Sequence, residues 1–209
     1  MGEKGKDMAL WQDSFHDWAR AWATLQDVEP TATGAVVTIG AQQVMVWPGD
    51  GAAFEPVSAG SELLLVTDDP GGATEFAQSQ GLRATISNVL LSAETEDLDL
   101  VPDLPPDAYL AEAPMENYDL VEVALFDRPV ARGRLCLGDG LAVMAALVVD
   151  DGHEEHVPAF EQAMVAGLGE EAFTHGADTL YLIAGLEQAE RFAGVEGWHK
   201  VADILGFSS

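Results

Sequence analysis

Between residues 109 and 149 the chain carries four β-rich runs in succession, YLAEA, YDLVEVALF, PVARGRLCL and GLAVMAALVV, joined by connectors of a few residues. No helix fits in such connectors, so each run must turn back beside the one before it, and an antiparallel meander follows. The turn LGDG at residues 137–140 has the composition of a hairpin connection. The period then changes. PAFEQAMVAGLGEEAFTH spaces Phe160, Met164, Leu168 and Ala172 four apart, which predicts a helix ending near His175 and Gly176. TLYLIAG follows as a strand, so residues 141–184 read strand, helix, strand, a unit that pairs in parallel with a right-handed crossover. EQAERF predicts a short helix and WHKVADILGF a last strand. Gly167 and Gly169 cost roughly 1 kcal/mol each inside a helix and point to close contact with a neighbour.

The first half reads as a smaller α+β unit. Trp11, Phe15, Trp18, Trp22 and Leu25 form one stripe of an amphipathic helix over residues 8–26, holding three of the five tryptophans. The first reading of that stripe is core packing; a homodimer or partner groove is the alternative. GAVVTIGA and QVMVWPGDG predict a hairpin, SELLLVTDD a strand, GGATEFAQSQG a helix closed by Gly81, and LRATISNVLLS another strand. GDG at 49–51 and PGG at 70–72 read as turns, since no basic or phosphate-loop context accompanies them. Six acids and three prolines across residues 94–107 block regular structure and predict a linker or exposed connection. The division is therefore expected near Pro105 and Pro106, with units 1–105 and 106–209.

Charge narrows the partners. Thirty-six acidic residues oppose nine basic ones for a net charge of −27, and the lysines are Lys4, Lys6 and Lys200. Phosphate backbones are held by clustered Lys and Arg, and the densest group here is Arg128, Arg132 and Arg134, so nucleic acid is excluded as a partner. Anionic membrane surfaces are disfavoured for the same reason. The acidic surface itself reads first as a solubility device and second as complementary to an amine or cationic peptide. No run of about 18 apolar residues could span a membrane, and MGEKGKDMALWQDS lacks the apolar core of a secretory signal, which points to the cytoplasm. Cys136, the one cysteine, reads as buried packing.

The order meander, parallel βαβ, short helix, last strand resembles the second half of the GNAT N-acetyltransferase fold over about residues 107–209. The residues that carry the likeness are Gly176-Ala177-Asp178, Leu180-Tyr181-Leu182, Ala189 and Gly197-Trp198. The resemblance implies an α+β fold with a mixed, mainly antiparallel sheet. It also implies an acetyl-CoA site in which pantetheine enters between the splayed fourth and fifth strands, and pyrophosphate rests on amides of a loop patterned Arg/Gln-x-x-Gly-x-Gly/Ala. On that pattern Leu147, Val149, His156, Val157 and Ala159 are the cofactor-contacting positions.

Against the family pattern the site is degenerate. The loop falls on His156-Val157-Pro158-Ala159-Phe160-Glu161, where both glycines are missing and Pro158 has no amide hydrogen. Glu154, Glu155 and Glu161 place negative charge near the phosphate position; one carboxylate about 4 Å from a phosphate charge costs about 4 kcal/mol at an effective dielectric of about 20, nearly a thousandfold in affinity. The family's usual tyrosine acid corresponds to Ala193, and its frequent asparagine to Leu186. Two helices that shape the acceptor site in the family are absent, and the N-terminal unit, with its tryptophan helix, is the candidate to replace them. Glu122 is the candidate general base, with a solvent-facing carboxylate as the alternative reading. DDGHEEH at 150–156 gathers two histidines and four carboxylates, but acids collect at a helix N-terminus because they suit its dipole, and no metal site is expected. The expectation is a non-catalytic binding or assembly module on an acyltransferase fold. The alternative is an active acetyl-CoA-dependent N-acetyltransferase that takes an amine or cationic peptide and binds CoA atypically.

Overall fold

A computed structural model describes residues 10–49 and 60–209. The chain up to residue 9 and the expected GDG turn beyond Gly49 lie outside them. In chain order come helices α1 (Leu10–Asp13) and α2 (Phe15–Leu25), strands β1 (Thr31–Thr33), β2 (Val36–Ile39), β3 (Gln42–Val46) and β4 (Glu62–Thr67), helix α3 (Pro70–Ser79) and strand β5 (Arg83–Glu94). There follow β6 (Ala108–Pro114), β7 (Asp119–Leu125), β8 (Arg128–Leu137), β9 (Leu141–Val149), α4 (Val157–Thr174), β10 (Thr179–Gly185), α5 (Leu186–Phe192) and β11 (His199–Ser208). PGG at 70–72 is not a free turn but the opening of α3. Pro70 sits where a helix needs no amide hydrogen, and the Asp69 carboxylate accepts from Gly72 N at 3.0 Å.

The described strands form an 11-stranded sheet in the order β1-β2-β3-β4-β11-β5-β10-β9-β8-β7-β6. Two neighbouring pairs are parallel, β3 with β4 and β9 with β10, and the others are antiparallel. The meander and the parallel unit expected over 108–184 are both present, in an α+β fold. The order is also symmetric about its middle. Each half runs through a parallel pair and a short helix, α3 or α5, into a strand that crosses to the other half, so that β5 lies against β10 and β11 lies against β4. The expected division at residue 105 thus falls within one sheet, in which strands from the two sides of it alternate. Each exchanged strand finds its hydrogen-bond partners in the opposite half.

Cross-strand partners share a face. Val89 and Leu91 face α4 and α5, while Leu205 and Leu65 on the same side meet α3; Leu90, Ala202 and Ile204 face the other way, toward α2. The tryptophan stripe packs on that second face: Trp11, Phe15, Trp18, Trp22 and Leu25 are all buried, against residues of β2, β8 and β9. Each ring removes roughly 200 Å² from water, on the order of 5 kcal/mol before ordering entropy. Trp18 Nε1 donates to Trp11 O at 3.0 Å, across the break at Ser14 between α1 and α2. The stripe is therefore core within one chain, as its first reading has it. Cys136 is buried in the same cluster, and burial raises its thiol pKa.

The acidic segment after β5 has no strand or α-helix, but it is docked. Leu98 and Leu104 pack on the core beneath α4, and a Cβ at Gly169 would lie 2.8 Å from Leu100 Cδ2. At Gly167 it would lie 3.3 Å from Leu110 Cδ1 of β6. These are the neighbours for which the helix glycines leave room.

Candidate functional site

The opening between β9 and β10 begins in a backbone irregularity. Opposite Arg132 and Arg134 of β8 the partners are Val148 and Ala145, so β9 carries an extra residue there. Ala146 takes it up at φ +55, a conformation that costs an L-residue roughly 1–2 kcal/mol. Gly133 on the facing strand leaves the room, since a Cβ there would meet Leu147 Cδ2 at 2.5 Å. The bulge turns β9 away from β10. Their pairing runs from Leu141↔Thr179 to Met144↔Leu182 and stops, although both strands continue.

The strands splay into a cleft of about 660 Å³. Leu147, Val148 and Val149 of β9 line it, with Val157 and Glu161 of α4, Ser87 of β5, and Gly185 through Gln188 with Arg191 around α5. Val148 and Leu186 are exposed here, so the walls are partly apolar.

At its floor lies a closed polar system. The Glu161 side chain is 4% exposed, and its carboxylate is held on both oxygens: Arg191 Nη2 donates to Oε1 at 2.7 Å and Nε to Oε2 at 2.8 Å. Gln188 Nε2 also donates to Oε1 at 2.7 Å and reaches Leu147 O at 3.2 Å. Hydrogen bonding to Glu161 raises the Arg191 pKa, against an opposing effect of desolvation. A planar guanidinium on a carboxylate is the strong, two-pronged form of ion pair. Gln188 thereby ties α5 to the free edge of β9, across the splay.

Glu161, expected to place negative charge near the phosphate position, is buried and paired with Arg191. The helical period explains why, because Val157, Phe160, Glu161, Met164, Val165 and Leu168 recur on one face of α4. Of the five expected cofactor positions, Leu147, Val149 and Val157 line the cleft and His156 and Ala159 do not. The 3-10 turn Glu154–His156 precedes α4 directly, and the His156 ring lies 5.3 Å from that of Phe160, with Nε2 3.5 Å from Glu155. Ala159 stands two residues beyond Val157, about 200° around the helix and off the cleft-facing side. In the turn before the loop Gly152 N donates to Glu154 Oε1 at 3.0 Å, which lowers the Glu154 pKa.

The acid and base candidates also lie elsewhere. Ala193 is the exposed C-cap of α5 and Leu186 lines the mouth. Tyr181 is buried on the α2 face, where its hydroxyl is 3.1 Å from Ser14 Oγ and burial raises its pKa. Tyr118 packs under Arg134, and Tyr109 stands on β6. Glu122 alternates with the buried Val121 and Val123, so it lies on the face away from α4, beside Arg132 of β8. No described tyrosine lines the cleft. Among the described residues no group of three or more His, Cys, Asp and Glu side chains is placed to hold a metal ion.

Gln188 and Arg191 belong to no motif in the sequence. Their i, i+3 spacing on a predicted helix puts them on one face, and Glu161 within an apolar helical stripe was the matching signal.

No protein-family profile and no curated protein matches the sequence. Solved structures do. A GCN5-related N-acetyltransferase from Kribbella flavida superposes with a TM-score of 0.63 at 16% identity, covering 90% of this chain and 93% of that one. A GCN5-related N-acetyltransferase-like protein from Streptococcus suis gives 0.58 at 11% identity over 96% and 99%. A tandem GNAT protein from the clavulanic acid biosynthesis pathway gives 0.53 at 12% over 71% and 63%.

Proposed function

We propose that this chain, which has the GNAT fold, is a non-catalytic binding or assembly module whose acetyl-CoA cleft is tied across from within. The observation that carries the reading is the polar latch: Gln188 bonds both Leu147 O and Glu161, and Arg191 holds the same carboxylate. By resemblance, pantetheine would enter between these two strands and compete for the free edge of β9. Here α5 supplies that partner itself. Displacing it exposes a buried carboxylate, and a buried polar group left unpaired costs about 1–3 kcal/mol or more. The phosphate position adds to this, since Pro158 has no amide to give.

A second reading has its own support. With the latch in place the cleft still measures about 660 Å³, with the walls Leu147, Val149 and Leu186, which suits an active acetyl-CoA-dependent N-acetyltransferase with an atypical CoA mode, acting on an amine or cationic peptide. Incubation with acetyl-CoA and a panel of amines and basic peptides, read by mass spectrometry, separates the two. The latched reading expects no acetylated product and no free CoA above the buffer rate. Enzyme-dependent transfer to any acceptor would overturn it.

A further inference from the structure

We propose that the outer edge of β6, with the cavity beside it under α4, is a docking site for an extended basic peptide segment of a partner protein. β6 ends the sheet order, and no described strand pairs with its outer side. Such an edge presents unpaired N–H and C=O groups to an incoming strand. The strand is seven residues long and most of them are exposed.

Beside it, where α4 passes over the β6–β7 pair, lies a cavity of about 270 Å³. Leu120, Leu168 and Gly167 supply apolar lining, and Glu112, Asp119 and Glu171 supply carboxylates. Gly167 brings the helix close enough that a Cβ there would lie 3.4 Å from Glu112 Oε1. Glu171 meets His175 at 3.2 Å, whereas Glu112 and Asp119 have no ion pair among the described residues. An apolar channel rimmed with carboxylates matches a Lys or Arg side chain, whose stem is apolar and whose head is charged. Backbone pairing on β6 and a cation in the cavity are two features of one extended ligand, because neighbouring same-face side chains project from a bound strand two residues apart.

Charge selects the occupant. A second copy would bring another −27 against this acidic edge, whereas a basic segment is drawn to it. The proposal does not rest on the state of the CoA cleft, which lies at the β9–β10 splay.

The test uses the full chain and a fluorescent peptide alternating lysine with valine, with a glutamate-for-lysine counterpart as control. We expect saturable binding of the basic peptide alone, with slowed amide hydrogen exchange across residues 108–114. The combined variant Glu112→Gln, Asp119→Asn and Glu171→Gln should weaken it at least about tenfold. Three remote exposed changes, Glu29→Gln, Glu75→Gln and Glu196→Gln, remove the same charge and should change it less than about twofold. Equal weakening by the two variants, exchange in β6 unaltered by bound peptide, no binding at all, or a salt-resistant dimer of the chain protected at β6 would each overturn the proposal.

Discussion

The two halves build the same junction and finish it differently. In the first half β3 and β4 stay paired to the end of β3, through Val46↔Val66, and Trp47 N donates to Val66 O at 2.9 Å. Trp47 then lies over the start of α3, so near that a Cβ at Gly72 would fall 2.5 Å from its ring, with Phe76 at 6.3 Å between centroids. In the second half the pair opens after Met144↔Leu182, and what spans the gap is Gln188, Glu161 and Arg191. The first junction is closed by backbone pairing and an aromatic ring. The second is opened by a bulge and tied with hydrogen bonds. The same strand arrangement thus gives a paired seam in one half and a splayed, polar-tied recess in the other.

The largest effect tests whether the halves are separable at all. Residues 106–209 alone lack β5, which lies between β10 and β11, so we expect no cooperative unfolding transition from that fragment. Adding residues 1–105 in trans should restore one. Independent folding of the fragment, seen by circular dichroism and calorimetry, would break the comparison at its root.

Next comes the polar junction. Arg191→Ala strands a buried carboxylate, and we expect a loss of about 3 kcal/mol, or roughly 6–12 °C in melting temperature for a chain of this size. A drop under about 2 °C would mean that the latch carries little of the junction.

Trp47→Ala removes a half-buried ring from the aromatic junction, and about 2 kcal/mol is expected from chemical denaturation. Exchange rates around α5 should stay as they are, because the two junctions share no side chains. Gln188→Ala is the smallest change, about 1 kcal/mol for its hydrogen bonds. Faster amide exchange at the end of β9 should accompany it; unaltered exchange there would show that Gln188 does not restrain the splay.

Much of this frame is legible in the sequence, because short connectors and hydrophobic period constrain neighbours. The meander over 108–149, the parallel unit after it and the tryptophan stripe follow from local pattern alone. The exchange of β5 and β11 does not. Nothing local tells SNVLLSA that its partner is TLYLIAG about ninety residues later. The acids and prolines of 94–107 suggested a boundary, yet Leu98, Leu100 and Leu104 among them dock on the second half. At the site, the spacing from Gly176 and Gly197 marks the loop and the positions of Ala193 and Leu186. It could not tell which way Glu161 faces. That depends on Arg191 and Gln188, thirty and twenty-seven residues away, which the packing of α5 against β10 and β5 brings to Glu161.

By this proposal the latch keeps acetyl-CoA out of the second junction. The most direct test is the melting temperature of the intact chain with and without acetyl-CoA in large excess. A ligand at about 100 times its dissociation constant adds about 2.7 kcal/mol of stability, or roughly 5–11 °C here. We expect no shift beyond that produced by an equal concentration of adenosine diphosphate. A saturable rise of several degrees with acetyl-CoA alone would contradict the account.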